Sequence, residues 1–215
     1  MGGRVRIEGF SVSRDGLGAG PRQSEREPLG EGGRSLHEWI FATRTGRAMV
    51  GLEGGSQGVD DEHFRRDADT VGATIMGRNM FGPERGPWSR DPWRGWWGDE
   101  PPFGHPVFVL THFARGPLTL GMTTFHFVTG GLDDVVATAR DVAADRDVLI
   151  GGGVAVVRAA LAERLVDDVA LALVPVALGE GERLFDDPGR WPDGYVEVER
   201  VAGEGATHVR LARAS

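Results

Sequence analysis

The stretch DVLIGGGVAVVRAAL, from Asp147 to Leu161, joins an apolar segment to a helix-like segment through three consecutive glycines. An apolar run followed by glycines and then by helical periodicity predicts a strand, a tight turn and a helix. The dinucleotide-binding fingerprint G-x-G-x-x-G is not satisfied, because Val156 stands where the third glycine would be. A nucleotide that binds here therefore binds to a fold other than the common dinucleotide-binding one.

The same alternation of strands and helices extends along the rest of the chain. Apolar or alternating segments predict strands at RVRIEGFSV, VGATIM, PVFVLTH, TTFHFVT, DVLIGGG and VDDVALALVPVAL. Helices are predicted at SLHEWIFATR (with Ser35 as its N-cap), VDDEHFRRDADT, LDDVVATARDVAAD and VAVVRAALAERL. The apolar faces of the last two helices are predicted at Leu132, Val135, Val136, Ala139, Val142, Val154, Val157, Ala160 and Leu161. Two closing segments, GYVEVERVA and THVRLARA, predict an antiparallel hairpin. Together these elements predict one α/β domain, residues 1–215, with a mainly parallel sheet covered by helices on both faces.

The composition excludes several classes of chemistry. The 215 residues include no cysteine, which excludes disulfides, thiolate nucleophiles and iron–sulfur clusters. Every basic residue apart from histidine is arginine, and without lysine neither Schiff-base chemistry nor a P-loop is possible. A net charge of −8 argues against a nucleic-acid surface. The absence of a long apolar segment predicts a cytoplasmic protein that does not enter a membrane.

Three predicted loops follow strands of this sheet, at the edge where open α/β sheets bind ligands. IGGGVA places glycine backbone at a helix N-terminus, where free amides favour a phosphate. MGRNMF places Arg78 directly after a strand, and VLTH ends a strand with Thr111 and His112. Each loop alone has an ordinary structural explanation, but the three together indicate an anion-binding edge.

These loops, in this order, resemble the dihydrofolate reductase-like superfamily. The order DG loop, MGRNMF, VFVLTH and LIGGG…LVDDVALALVPVALGEGERLF is most similar to the reductase domain of riboflavin biosynthesis and its stand-alone relatives. The resemblance covers nearly the whole chain. It implies a mostly parallel eight-stranded sheet with flanking helices and a C-terminal antiparallel hairpin, NADPH as cofactor, and a homodimer.

The resemblance also implies the cofactor-binding residues. The segment Gly77, Arg78, Asn79 and Met80 matches the part that binds the phosphates, with Arg78 at the 2′-phosphate. Thr111 and His112 match the strand end near the adenosine ribose. The pyrophosphate and nicotinamide side matches Gly152, Gly153, Val154 and Ala155, and the loop that closes over the nicotinamide matches Val12, Ser13, Gly16 and Leu17.

The residues that bind the substrate, which accepts the hydride, are less well defined by the resemblance. Asp61 stands at the spacing before Arg78 where folate reductases carry their pterin-binding carboxylate, although acids in a first helical turn also complement the helix dipole. Glu38, in LHEW, is the alternative carboxylate.

A segment rich in Trp, Pro and Gly, at about residues 83–104, is interpreted as an insertion. It holds four of the six tryptophans: Trp88, Trp93, Trp96 and Trp97. Two interpretations stay open: an aromatic wall for a flat heterocycle, or a loop that packs on its own domain or on a partner. The predicted substrate-binding residues are Trp39, Phe81, Trp96 and Trp97.

The predicted function is that of an NADPH-dependent reductase acting on a small flat heterocycle, of pterin, pyrimidine (such as 5-amino-6-(5-phosphoribosylamino)uracil) or related type. The alternative is an NADPH-binding protein without efficient turnover. The six histidines show no H-x-H or H-E-x-x-H spacing, so no metal site is predicted.

Overall fold

The computed structural model describes residues 2–65, 70–187 and 189–214. The chain divides into two compact units. Unit 1 comprises Met1–Arg6 and Thr70–Asp167, and unit 2 comprises Ile7–Asp69 and Asp168–Ser215. Within the described ranges, no helix has the length and apolar character that crossing a membrane requires.

Unit 1 contains a sheet with the strand order β1-β7-β3-β4-β6-β5. The strands are β1 (Val5–Ser13, of which Val5 and Arg6 belong to this unit), β3 (Val71–Gly77), β4 (Val107–Leu110), β5 (Leu118–Leu120), β6 (Thr123–Val128) and β7 (Asp147–Gly152). The helices are α4 (Arg78–Phe81), α5 (Leu132–Ala143) and α6 (Val154–Ala162). All pairs are parallel except β5 with β6.

The apolar patterns explain which of these elements are central. Every residue of β3 is buried, as expected for a strand covered on both faces, whereas β6 alternates between buried and half-buried positions. Helix α6 buries the four positions that the sequence predicts. Helix α5 buries Val135, Val136, Ala139 and Ala143, but Val142 is exposed, so its predicted place on the apolar face is wrong.

Unit 2 contains the strand order β10-β11-β8-β1 and a separate pair, β2 with β9. Its strands are β2 (Leu17–Ala19), β8 (Asp168–Val174), β9 (Glu182–Arg183), β10 (Tyr195–Ala202) and β11 (Thr207–Arg213), besides the rest of β1. Its helices are a 3₁₀ helix (Gly33–His37), α1 (Glu38–Ala42), α2 (Arg44–Met49) and α3 (Val59–Arg65). Strands β10 and β11 form the predicted antiparallel hairpin.

The structure corrects three details of the sequence analysis. Apart from the separate pair of β2 with β9, the strand orders of the described residues contain nine different strands rather than the eight expected, because the sequence does not predict the short strand β5. Ser35 does not cap an α-helix: it lies inside the 3₁₀ helix, and its hydroxyl donates to the Gly32 carbonyl. The helix predicted at VDDEHFRRDADT runs over Val59–Arg65, and residues 66–69 lie outside the described ranges.

Unit 1 is expected to lose stability as the pH falls below about 6.5, the ordinary pKa of histidine. Burial lowers the pKa of His105, the charge of Arg146 lowers it further, and its Nε2 lies 2.8 Å from Thr74 Oγ1. Since the folded pKa is below the unfolded one, the unfolded chain binds the proton first, which favours unfolding at acid pH. Urea unfolding at pH 7.5 and 5.5 should show a smaller loss for His105→Gln than for wild type. The exposed His112→Gln is the control, and equal losses in wild type and His105→Gln would contradict the assignment.

Candidate functional site

Three parallel strands of unit 1 end side by side and bring the predicted loops to one edge. Gly77 of β3 pairs with Leu110 of β4, and Met76 of β3 pairs with Gly152 of β7. Arg78, Gly153 and Thr111 are therefore the first residues beyond this edge. The sequence predicts this convergence, and the structure places these residues as expected.

Packing restricts two of the glycines at this edge to different degrees. A Cβ atom on Gly77 would lie 2.9 Å from Val156 Cγ2 and 3.5 Å from the Gly153 amide nitrogen. A Cβ atom on Gly151 would lie 3.3 Å from Cε of Met80. Gly77 therefore lets β3 approach α6 closely, whereas at Gly151 a small shift of the flexible Met80 side chain would make room for a methyl group.

Gly152 and Gly153 differ in what their backbones require. Gly152 has a φ of +141°, a conformation that essentially only glycine adopts. Gly153 has φ −66° and ψ −177°, which any residue adopts, and a Cβ atom there would meet only Asn79 Cβ, at 3.9 Å. The peptide bond between Gly152 and Gly153 is cis. The φ and ψ of Gly153 and the packing beside it do not by themselves require glycine. The free space beside its backbone is the property that a close-approaching ligand needs.

The N-terminus of α6 directs backbone amides toward the same edge. The first intrahelical bonds come from the amides of Val156 and Val157, both to the Gly153 carbonyl at 3.1 Å. The amides of Val154 and Ala155 precede these bonds, in the first turn, where amide groups and the helix dipole attract anions.

Arg78 supplies the positive charge of the edge. It begins α4, and its side chain is buried, with 9% of the residue exposed. Nη1 donates to the Gly86 carbonyl, whereas Nε and Nη2 are buried and have no hydrogen-bond partner among the described residues. Burial lowers the pKa of Arg78, and the nearby Arg85 lowers it as well, against an opposing effect of Glu84. The guanidinium still carries its charge at neutral pH. Its Nε and Nη2 together form an edge that can donate two parallel hydrogen bonds, and this edge is buried without an acceptor among the described residues.

The other predicted residues of unit 1 lie beside this edge. Thr111 is buried, and its hydroxyl accepts from the Phe113 amide at 3.2 Å. His112 is exposed, and Asn79 and Met80 are half-buried in α4. Thr111 thus shapes the turn after β4, while His112 presents its ring to solvent.

In unit 2, the loop after β1 is closed by its own hydrogen bonds. Ser13 Oγ accepts from the Leu17 amide at 2.9 Å, and the Gly16 amide donates to the Ser13 carbonyl at 2.9 Å. Gly16 has a φ of +82°, which favours glycine, and the side chains of Val12 and Leu17 are buried. Val12 and Leu17 therefore have only backbone atoms to offer a ligand.

Asp15, which the sequence analysis did not single out, fixes this loop. Burial alone would raise its pKa, but hydrogen bonds from Ser13 Oγ (2.6 Å) and from the amides of Gly179 (2.7 Å) and Leu178 (3.2 Å) lower the pKa to about 2. A carboxylate with three donors stays ionised at neutral pH. The only signal in the sequence was the Asp-Gly pair of a turn.

The two predicted carboxylates of unit 2 have different surroundings. Asp61 is buried, and its Oδ1 accepts from the Thr45 amide at 2.7 Å, at the start of α2. Burial alone would raise the pKa of Asp61, but the hydrogen bonds from Thr45 and the charges of Arg65 and Arg44 lower it. Glu38, at the start of α1, is exposed.

Trp39 belongs to a buried polar cluster that sequence reasoning missed. Its Nε1 donates to Ser11 Oγ at 2.9 Å, and its ring lies 5.1 Å from the ring of His208. His208 Nε2 lies 2.7 Å from Asp60 Oδ1, and the ring of His63 stacks on His208 at 4.2 Å. A shallow cleft borders Trp39, His63 and His208. Trp39 is almost entirely buried, so its predicted contact with a substrate involves at most a small part of its ring.

The Trp-rich insertion packs on unit 1 itself. Trp88, Trp93 and Trp97 pack against the buried cluster that contains Phe81 and Phe125. Trp97 stacks on Phe125 with ring centroids 5.9 Å apart, and Trp96 contacts Trp93 at 4.8 Å. Of the two interpretations left open, the structure shows the packing on its own unit.

Phe81 requires a correction. It was predicted to bind the substrate, but its side chain has no exposed surface. Its ring lies 5.2 Å from Phe125 and 5.1 Å from Phe127, so it fills the core beneath the insertion.

Comparison with known proteins identifies a family and a fold. A model of the RibD C-terminal domain family matches residues 7–199, most of the chain. No curated protein sequence matches the chain significantly.

Two solved structures have the same fold. A protein from Shewanella sp. PV-4 named for riboflavin biosynthesis is 20% identical, with a TM-score of 0.63 over 98% of this chain and 99% of that chain. Dihydrofolate reductase from Enterococcus faecalis, complexed with NADP(H) and RAB-propyl, is 12% identical, with a TM-score of 0.52 over 100% of both chains. The dihydrofolate reductase-like fold with a mostly parallel sheet is thereby confirmed.

Proposed function

We propose, because the chain belongs to the RibD C-terminal domain family, that it is a reductase that uses NADPH to reduce a small flat heterocycle of pterin, pyrimidine or related type. The observation that carries the proposal is the buried bidentate edge of Arg78, whose Nε and Nη2 have no acceptor among the described residues. Buried donors without partners are rare in proteins, and a guanidinium edge of this kind fits a phosphate.

The residues of unit 1 fit the cofactor. Arg78 would bind the 2′-phosphate, and the open backbone at Gly153 with the first-turn amides of Val154 and Ala155 would bind the pyrophosphate. When bound, NADPH supplies the hydride. By family resemblance, Gly77, Asn79, Met80 and Gly152 line this cradle, and Thr111 and His112 lie at the adenosine ribose. In unit 2, the residues proposed for the nicotinamide end are Val12, Ser13, Gly16 and Leu17.

The two predicted carboxylates of unit 2 are the candidates for binding the substrate. Asp61 is ionised and its Oδ1 already accepts a hydrogen bond from the Thr45 amide. It can therefore accept a hydrogen bond from a substrate but has no proton to donate. Glu38 is exposed and therefore free to approach an acceptor. We propose that one of them orients the heterocycle, with Trp39, Trp96 and Trp97 as candidate aromatic contacts.

Asp61→Asn and Glu38→Gln test this assignment. NADPH oxidation is followed with a panel of pterin and pyrimidine acceptors, and NADPH affinity is measured separately by calorimetry. We expect one of the two variants to lose turnover about 10²- to 10⁴-fold, the usual contribution of such a group, with an unchanged Kd for NADPH.

Glu62→Gln, which removes an exposed carboxylate from the same helix as Asp61, is the matched control and should keep its activity. If tight NADPH binding is found but no acceptor is reduced, the protein is a nucleotide-binding module without turnover, and the reductase proposal is wrong.

We also propose a homodimer, as the family resemblance implies. One stretch of unit 2 exposes the large apolar side chains of Phe41, Met49, Val50 and Leu52, which is typical of contact surfaces. Sedimentation equilibrium would measure the oligomeric state directly, and a monomer at micromolar concentration would contradict this part of the proposal.

A further inference from the structure

The insertion, residues 83–104, and the turn after β4 surround Arg78 with aromatic and carbonyl groups. Arg78 Cζ lies 3.7 Å from the ring centroid of Trp88 and 5.6 Å from that of Phe113. Its Nη1 donates to the carbonyl of Gly86, which also belongs to the insertion. The insertion therefore fixes one nitrogen of the guanidinium and one of its faces, and the Nε–Nη2 edge remains.

Trp88 is itself fixed in place. Its Nε1 donates to the Phe113 carbonyl at 2.8 Å, in the turn after β4. Its ring packs edge-to-face on Phe127 at 5.1 Å and on Phe81 at 6.3 Å, both part of the core. A ring with a hydrogen bond and two edge-to-face contacts provides a rigid surface for the guanidinium.

A second arginine lies on the same tryptophan. Arg115 Cζ is 4.8 Å from the Trp88 ring centroid, and its Nη1 donates to the Trp93 carbonyl at 2.6 Å. Burial lowers the pKa of Arg115, and Arg78 and Arg94 lower it as well, against the effect of Glu84. Glu84 is already engaged, since its two oxygens accept from Ser89 Oγ and the Trp93 amide. The cluster thus carries more positive than negative charge around the unpaired edge of Arg78.

We propose that Trp88 and Arg115 are positioning residues that hold the Nε–Nη2 edge of Arg78 for a phosphate monoester dianion, so that the insertion and the loop after β4 together set the preference for NADPH over NADH. The proposal rests on the proposed function and extends it from Arg78 to the insertion. A guanidinium edge binds phosphate oxygens through two parallel hydrogen bonds, and this geometry depends on the orientation of its plane. The Trp88 ring and the Gly86 carbonyl fix that plane, and Arg115 adds charge attractive to a dianion.

Both edge nitrogens are covered from solvent in the structure. A phosphate therefore reaches them only after a local shift of the surrounding groups. Buried donors without partners destabilise the unliganded protein, and hydrogen bonds to the phosphate oxygens remove this destabilisation on binding.

The test is calorimetric titration of Trp88→Leu and Arg115→Ala with NADPH and, separately, with NADH. We expect each variant to raise the Kd for NADPH about tenfold and to leave the Kd for NADH within about twofold, because NADH lacks the phosphate. Trp88→Phe keeps a ring beneath the guanidinium and should restore most of the preference. The monoester 2′-AMP should compete with NADPH in wild type and less well in Trp88→Leu.

Trp191→Leu and Arg190→Ala are the matched controls, since each removes the same residue type from unit 2 at a position that neither proposal uses, and both should keep the preference. Melting temperatures of all variants show whether they are folded. If wild type prefers NADPH and folded Trp88→Leu keeps that preference, or loses affinity for both nucleotides equally, this inference is wrong while the proposed function stands. Wild-type protein that binds neither nucleotide would overturn the proposed function itself, and this inference with it.

Discussion

Replacing Gly153 by alanine is expected to weaken NADPH binding about 10- to 100-fold while leaving the free energy of unfolding within about 1 kcal/mol of wild type. The φ and ψ of Gly153 are accessible to any residue, and the nearest described atom to a new Cβ is Asn79 Cβ at 3.9 Å, so the space beside the backbone accommodates the methyl group. Alanine is a poorer N-cap than glycine but restricts the unfolded chain more, and these two effects oppose each other. The methyl group would occupy the space through which we propose that a pyrophosphate approaches the backbone.

Calorimetry with NADPH and urea unfolding measure the two quantities separately. Gly152→Ala is the comparison, because φ of +141° makes alanine unfavourable by about 1–3 kcal/mol whether or not a ligand binds. If Gly153→Ala binds NADPH as tightly as wild type, the three glycines form only a tight turn.

The second large effect is expected for Arg78→Ala, which should raise the Kd for NADPH about 100-fold and change that for NADH less than about threefold. Hydrogen bonds to charged groups contribute about 1.5–3 kcal/mol each, and about 1.4 kcal/mol corresponds to a tenfold change in Kd. Because Nε and Nη2 are unpaired in the unliganded protein, the substitution removes few existing hydrogen bonds.

Arg94→Ala is the control for Arg78→Ala, since it makes the same change of charge on an exposed side chain of unit 1, which pairs with the exposed Asp99. It should leave both dissociation constants within about twofold. An equal loss of NADPH and NADH affinity in Arg78→Ala would show that Arg78 is not a phosphate ligand.

Much of the fold could be predicted because local patterns in this chain agree with the tertiary structure. The run VGATIM contains no charged residue and only one polar residue, Thr74, and β3 is buried on both faces. The predicted apolar face of α6 is the buried one because a 3.6-residue period determines which side of a helix meets a sheet. Strand β5 was missed because its three residues are too few to show a period, and only pairing with β6 makes them a strand.

The candidate site was predictable only in part. Gly77, Arg78 and Gly153 could be predicted because each directly follows or ends a strand, and parallel strands place their ends together. The contacts of Arg78 with Trp88 and Phe113 could not, since those rings come from separate loops without periodicity. Likewise, the acids of α3 suit a helix start, and nothing in the sequence shows that Asp60 and Asp61 bind His208 and the Thr45 amide.

Titration of the wild-type protein with NADPH and with NADH by isothermal calorimetry tests the central claim most directly. If the Nε–Nη2 edge of Arg78 binds the 2′-phosphate, one NADPH binds per chain, at least about tenfold more tightly than NADH. Tenfold is the minimum expected from one charge-assisted hydrogen bond to the additional phosphate. Equal affinity for the two nucleotides would contradict the role of Arg78, and binding of neither would contradict the assignment of a cofactor site to this edge.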